Sequence, residues 1–437
     1  MTKKILLIGN GGREHAICEA LSRSPQKPEI YNFANAINPG IKSLGAEIIV
    51  GNYMDMDEVK RVAQQVQPDF AIVGPDDPIG AGATDVLLEV GIKSFSPNKK
   101  CAQLESSKSF TRDLCQKYKV PGGPDYLVST DMSNSEERQT FFNKLNGQIV
   151  VKADGLLGGK GVIVAGDHFT DFNEAEDFAL KSIEKFGRVV LEEKLIGEEF
   201  SLISIVDGET VLDCPEIQDH KRAFVGDTGP NTGGMGCVSP LPFVTKQDLA
   251  DAHEITVQTM NAVEAETGSK FVGVMYGGFM VTANGVKLIE YNARFGDPEA
   301  LNILPILKTD FVDVCEKAIA GQLSDINLEF KNVATVVKYL CPEGYPTNSV
   351  KNVEVKVNGE IPANCYFASV GQEADKFVLK GSRAIGVLGT GPDLESARLD
   401  CEAKIKNFSG PLFYREDIGT AELIQQRIDH MKLLQEQ

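Results

Sequence analysis

Glu290, Asn292 and Arg294 are spaced two residues apart in KLIEYNARFGDPE, residues 287–299. Side chains along a strand alternate between faces, so these three share one face. Ile289, Tyr291 and Ala293 share the other, which packs into a core. A row of polar side chains on a buried strand needs a ligand to satisfy it. A carboxylate and an amide carbonyl are hard oxygen donors suited to Mg²⁺, which keeps its remaining positions for phosphate oxygens and water. Arg294 beside such an ion could stabilise charge developing on a phosphoryl or acyl phosphate group. The competing reading is an exposed amphipathic edge strand with no ligand.

Two glycine-rich stretches could hold phosphate. VVKADGLLGGKGV (150–162) is not a Walker A loop, because Asp154 stands where the first glycine belongs and Gly161 replaces the Ser/Thr. A hairpin between two strands fits better, with Lys152 on the first strand and Lys160 at the tip. Gly155, Gly158, Gly159 and Gly161 would let its backbone close over a polyphosphate with amides directed inward. A surface hairpin without a ligand is the alternative. KKILLIGNGGREHA (3–16) reads as a strand, a tight turn and a helix. The dinucleotide fingerprint needs a third glycine and an acidic residue about 20 positions later. Here Glu14 occupies the third glycine position, and the next strand, EIYNFA, ends without a suitable carboxylate. NAD is therefore not expected. The turn can still offer backbone N–H groups and a helix N-terminus to a single phosphate.

Two further stretches complete the set. In LEEKLIGEEF (191–200), backbone groups near 193–195 could pair with an adenine edge and Glu199 could accept from ribose hydroxyls, unless this is a solvated acidic turn. His220, Lys221 and Arg222 precede five glycines in 219–236, which suits a loop folding over reacting groups or a cover with no catalytic side chain. His15 reads as a capping or packing residue rather than a base.

These residues must be positioned by a chain of 437 residues, long enough for two to four domains. With 42% hydrophobic and 24% charged residues it has the makeup of a soluble globular protein. Its longest apolar runs are far too short to cross a bilayer, and no signal-peptide h-region is evident. Nine scattered cysteines without a CxxC pair argue against zinc and against a disulfide framework, and fit a reducing cytoplasm. A formal charge of −18 disfavours general nucleic-acid or membrane-surface binding. The first hundred residues alternate KKILLIG, EIYNFA, AEIIVG, FAIVGP and KSFSP with helical or turn-rich segments, the rhythm of a doubly wound parallel sheet. Residues 106–118, SSKSFTRDLCQKY, predict an N-capped helix. The last hundred residues are strand-rich and end in two helical stretches.

Taken together, IGNGGREHA, VGPDDPIGAG, SKSFTRDL, KADGLLGGKGVIV, EEKLIGEEFS, QDHKRAFVGDTGPNTGGMG, IEYNARFGDPE and YREDIG resemble, in order, the glycinamide ribonucleotide synthetase family of the ATP-grasp superfamily. The resemblance implies an ATP-grasp fold of α/β and α+β domains, with an N-terminal doubly wound parallel-sheet domain and a strand-rich C-terminal domain. The expected divisions are 1–103 for substrate binding, 104–120 with 194–328 for the central ATP-grasp domain, 121–193 for its lid, and 329–437. It implies ligation of glycine to 5-phosphoribosylamine through glycyl phosphate, with ATP as co-substrate and Mg²⁺ or Mn²⁺ as cofactor. Another carboxylate–amine ligase of purine synthesis is the nearest alternative. By resemblance, Lys108, Lys152 and the loop of Gly155, Gly158, Gly159, Lys160 and Gly161 hold the nucleotide phosphates. Glu192, Glu193, Lys194, Leu195 and Glu199 bind adenosine, Glu290 and Asn292 bind the metal, and Arg294 and Lys160 are catalytic. Gly9, Asn10, Gly11, Gly12, Arg13, Glu14, Asp76, Asp77, Lys221, Arg222 and Arg294 contact the other substrates. A cytoplasmic monomer or weak dimer is expected, with no nucleic-acid or membrane partner.

Overall fold

The computed structural model of the chain describes residues 2–157 and 161–436. Its N-terminal unit is a four-stranded parallel sheet in the order Glu47–Val50, Glu29–Ala34, Lys4–Ile8, Phe70–Val73. The uninterrupted apolar run of the central strand has a direct cause: its alternate residues feed two cores. Ile5 and Leu7 pack with the helix Gly12–Ser22, whereas Leu6 and Ile8 pack with Met56–Val66 and Ala83–Glu89. Burial on both faces removes the polar alternation of a one-sided strand. The predicted strand in KSFSP is only an isolated bridge from Ser94 to Ala71, because the chain bends at Phe95 and Ser96 immediately after it.

The central unit is an antiparallel sheet in the order Val211–Asp213, Gly197–Val206, Gly273–Thr282, Gly285–Asn292. The long helix Lys246–Thr267 packs on it through Ile255, Met260 and Val263. Beside it, Tyr126–Ser129, Val189–Glu193, Ile149–Ala153 and Val162–Val164 form a smaller antiparallel sheet backed by the helix Phe172–Phe186. The N-capped helix predicted over 106–118 runs Lys108–Lys117, and a separate short helix, Gln103–Ser106, precedes it. Ser107 separates them in an extended conformation, and its hydroxyl caps the second by accepting from the Phe110 N–H.

A third sheet joins Gln218–Asp219 and Gly236–Ser239 to the C-terminal strands Ala334–Pro342, Ile385–Gly391 and Cys365–Phe367. Segment 219–236 therefore leaves the central unit and returns along the C-terminal one. His15 staples the N-terminal unit to this sheet: it is buried, its Nδ1 accepts from the Phe367 N–H at 2.9 Å, and its ring meets Tyr366 and Phe367. No helix among the described residues is long and apolar enough to cross a membrane.

Candidate active site

A cavity of about 370 Å³ lies where the three units meet. One wall is the strand Gly285–Asn292. Its ladder to Gly273–Thr282 slips between Gly278 and Phe279, so Ile289 is the extra residue opposite that step. The expected alternation therefore holds from Glu290 onward and fails at Ile289, which is half-buried at the cavity instead of packed in the core. The bulge also frees backbone carbonyls. Arg112 donates to Leu288 O at 3.1 Å and Ile289 O at 2.5 Å, and Lys152 donates to Ile289 O at 3.3 Å.

Glu290, Asn292 and Arg294 all line the cavity. Among the described residues, the Glu290 side chain makes no hydrogen bond or ion pair, although its backbone pairs with Gly278 in the ladder. Burial opposes its charge, but Lys108, Lys221, Lys152 and Arg294 outweigh burial and hold its carboxyl below the ordinary value. Arg294 pairs with Glu105 at 2.8 Å and donates to Asn292 Oδ1 at 3.3 Å. Glu105 also accepts from the Ala293 N–H at 2.8 Å, so a single buried carboxylate orients both ends of this turn.

The lysine side is organised by a different carboxylate. Glu192 was expected at adenosine, but its oxygens are already taken by Arg112, at 2.7 and 2.8 Å, and by Lys152 at 2.6 Å. Burial would raise the Glu192 carboxyl, yet these two cations hold it at about 2. Lys108, first residue of its helix, reaches Gly155 O at 3.3 Å. Asp154 accepts from the Ser109 N–H at 3.2 Å and from the hydroxyls of Ser107 and Ser109 at 3.1 and 2.6 Å, tying the base of the glycine loop to that helix. Gly155 and Gly161 line the cavity; Gly158, Gly159 and Lys160 lie outside the described residues. Glu193 and Lys194 sit off the cavity wall, their N–H groups donating to Asp125 O and Gln148 O at 2.8 and 3.0 Å. Leu195 follows them at the strand end. Glu199 pairs with Lys221 at 2.7 Å in a small adjoining cavity.

Arg13 and Asp76 also line the cavity, and Arg13 donates to Phe295 O at 3.3 Å, beside Arg294. Burial works against the Asp76 charge, but Arg294 and Arg13 prevail and keep its carboxyl low. Asp77 does not line the cavity. The glycine turn is tighter than its sequence suggests. Glu14 is buried, accepts from the Gly11 N–H at 2.6 Å and pairs with Arg13 at 2.6 Å. Gly9 adopts φ +116°, and a Cβ there would lie 2.8 Å from Glu14 Cγ. A Cβ on Gly12 would meet Tyr339 Oη at 2.3 Å. Asn10 donates to Ala36 O at 3.3 Å. These turn residues support the wall without lining it. Arg222 is also off the wall, bonded to Asp167 at 2.9 Å and Gly229 O at 2.9 Å.

Glu105, Arg112, Asp219, Tyr276, Asp297, Glu299 and Arg383 line the same cavity and were not singled out from the sequence. Arg383 comes from LKGSRAIGV and donates to Gly233 O, Gly234 O and Asp297 O at 2.5, 2.9 and 2.8 Å. The arginine in that glycine-bearing stretch was the only available signal. Glu299 accepts from Tyr276 Oη at 2.6 Å, while Asp219 Oδ1 is buried without a partner among the described residues. Burial and the Glu299 charge raise the Asp219 carboxyl well above its ordinary value.

Two antiparallel sheets that bring lysines and a carboxylate strand to one cavity, beside a parallel-sheet unit, are the arrangement of an ATP-grasp protein. Biotin carboxylase from Campylobacter jejuni shares this fold alone, with a TM-score of 0.72 at 14% identity over 99% of both chains. Family models for phosphoribosylglycinamide synthetase match most of the chain: the N domain at residues 3–105, the ATP-grasp (A) domain at 106–300 and the C domain at 335–421. The chain belongs to the phosphoribosylglycinamide synthetase family. It is 44% identical to phosphoribosylamine–glycine ligase of Methanococcus vannielii, over 99% of this chain and 100% of that one. To the Methanosarcina barkeri protein of that name it is 43% identical, over 99% of each chain. The crystal structure of the Thermotoga maritima ligase matches with a TM-score of 0.81 at 27% identity, covering 95% of this chain and all of that one.

Proposed function

We propose that this chain joins glycine to 5-phosphoribosylamine using ATP, giving glycinamide ribonucleotide, ADP and phosphate, the second step of de novo purine synthesis. One observation carries the reading: the polar face of Glu290, Asn292 and Arg294 opens into the same cavity that Lys108, Arg13 and Asp76 line. Family membership supports the same reaction. Glycine's carboxylate is a poor electrophile, so a phosphoryl group must first be transferred to it. The neutral amine of phosphoribosylamine then attacks the acyl carbon of glycyl phosphate and expels phosphate. Positioning and charge stabilisation supply most of the acceleration in such transfers.

In this reading Lys108 and Lys152 hold the nucleotide phosphates under the loop of Gly155, Gly158, Gly159, Lys160 and Gly161. Glu192 contributes by keeping Lys152 in place, and with the Glu193 and Lys194 amides committed, adenine pairs with Leu195 and nearby carbonyls. Glu199 takes the ribose hydroxyls. The carboxylate of Glu290, which has no partner among the described residues, and the oxygen of Asn292 would suit a divalent ion that keeps its other positions for phosphate oxygens and water, as Mg²⁺ or Mn²⁺ does. When bound, that ion neutralises phosphate charge. Arg294, oriented by Glu105, stabilises the acyl phosphate. Asp219 and Glu299 form an acidic wall suited to glycine's ammonium group. Arg13 receives the 5′-phosphate, backed by the glycine turn, with Asp76 near the ribose. The division into units at 1–103, 104–120 with 194–328, 121–193 and 329–437, acting as a cytoplasmic monomer or weak dimer, completes the proposal.

The test is phosphate release from ATP with glycine and phosphoribosylamine, each omitted in turn. Release that needs all three supports the reading. Equal release when formate or bicarbonate replaces glycine would reassign the chain to a different carboxylate–amine ligation.

A further inference from the structure

Segment 219–236 puts Asp219, Lys221, Thr232 and Gly233 on the cavity wall, yet its hairpin tip contributes little to any core, since Phe224 and Val225 are exposed. Two successive carbonyls show how it is held. Lys221 O accepts from Thr232, from its N–H at 2.7 Å and its hydroxyl at 2.9 Å. Arg222 O accepts from Arg415 Nη1 at 3.1 Å. Arg415 follows the strand Leu412–Phe413 in the YREDIG motif and is 1% exposed. Its guanidinium also reaches Asp227 Oδ1 at 2.7 Å and both oxygens of Asp417 at 2.9 and 2.6 Å.

The other contacts lead to the same point. Asp417 accepts from the Gly226 N–H at 3.0 Å. Arg427, on the last helix Ala421–Gln435, closes on the second Asp227 oxygen. Asp227 itself sits at φ +51°, a left-handed conformation that a non-glycine residue keeps only when its surroundings hold it. A lysine could supply the charge at 415 but not the planar fork that serves Asp417, Asp227 and a carbonyl together. On the cavity side the product of this bracing is Lys221, whose flexible side chain meets Glu199 at 2.7 Å.

We propose that Arg415 is a positioning residue: through Asp227 and the Arg222 carbonyl it fixes the backbone from which Lys221 reaches Glu199. Arg415 thus helps build the site without lining the cavity. The reaction read out below rests on the ligase reading; the positioning itself does not.

Two measurements on the full chain test it. In a mutant cycle, Asp227→Asn should lower kcat by about 10- to 100-fold, the usual cost of losing a group that orients a site residue. In the Lys221→Met background the same change should cost almost nothing more, because the residue being positioned has gone. Equal losses in both backgrounds, or a Lys221→Met variant with wild-type turnover, would overturn the proposal. Arg415→Lys provides the milder variant should Asp227→Asn fold poorly, and must show the same dependence on Lys221. Hydrogen exchange gives a reading independent of the reaction. The Thr232 amide should exchange faster in Asp227→Asn while the Ile5–Ile8 amides do not change, and unchanged Thr232 exchange would overturn the proposal. A wild-type chain that makes no product from glycine would remove the ligase reading and leave the exchange result standing.

Discussion

Lys152 and Glu192 lie 2.6 Å apart on neighbouring strands, with side chains only 7% and 4% exposed. Arg112 approaches the same carboxylate from the other side. Burial pulls the Lys152 ammonium below its ordinary pKa, and the Glu192 charge only partly offsets this. One anion thus keeps two buried cations charged and in place.

Glu192→Gln should therefore cost about 3–5 kcal/mol, the usual penalty for leaving buried charge uncompensated. Lys152→Met should cost clearly less, because the bidentate Arg112–Glu192 pair survives it. Urea unfolding of both variants checks the order. Equal losses would mean that the carboxylate is not the anchor.

Acid sensitivity should begin with His15. Burial lowers its pKa from 6.5 to about 4, so the folded chain binds fewer protons than the unfolded chain between those values. The stability contributed by keeping His15 neutral is complete above pH 6.5 and falls as pH drops toward 4. Glu192, depressed from 4.5 to about 2, adds a later loss between those two values. His15→Asn retains an acceptor for the Phe367 N–H and should flatten the upper window. Melting temperatures between pH 4 and 7 decide it; an unchanged slope would rule His15 out as the source.

Neither NAD nor NADP should bind measurably. Glu14 already occupies the turn, bonding the Gly11 N–H, and a Cβ on Gly74 would lie 2.1 Å from its carboxylate. Calorimetry showing a micromolar dissociation constant would refute this account of the turn.

Much of this could be read in the sequence where a local pattern has a local cause. Ile5 to Ile8 announce a strand buried on both faces, and the spacing of Glu290, Asn292 and Arg294 announces one polar face. The bulge at Ile289 was not legible, because it arises where the partner strand slips at Gly278. Arg112 and Glu192 are 80 residues apart, and no spacing rule connects them. Glu105 and Arg383 were missed for the same reason: each acts through a contact that only the assembled units create. Glu14 shows the reverse, since it was correctly read as breaking a fingerprint but its own role as the filling of the turn needed the fold.

Glu290→Gln separates a metal ligand from a structural charge. Among the described residues Glu290 has no partner, yet Lys108, Lys221, Lys152 and Arg294 stabilise its charged form. Removing that charge therefore brings no relief, and ligand-free stability should fall slightly as the surrounding cations lose a counter-charge. That differs from the simple expectation that an isolated buried carboxylate destabilises an empty site. The larger effect should fall on catalysis. A divalent ion held by Glu290 and Asn292 alone would lose the charged one of its two protein ligands, so turnover should drop by orders of magnitude. Raising Mg²⁺ or Mn²⁺ should restore part of it, because weakened binding is answered by concentration. A structural carboxylate predicts the opposite pair of results, a large fall in melting temperature with an unchanged metal requirement. Measuring both on one variant is decisive, and that second pattern would refute the metal-site assignment.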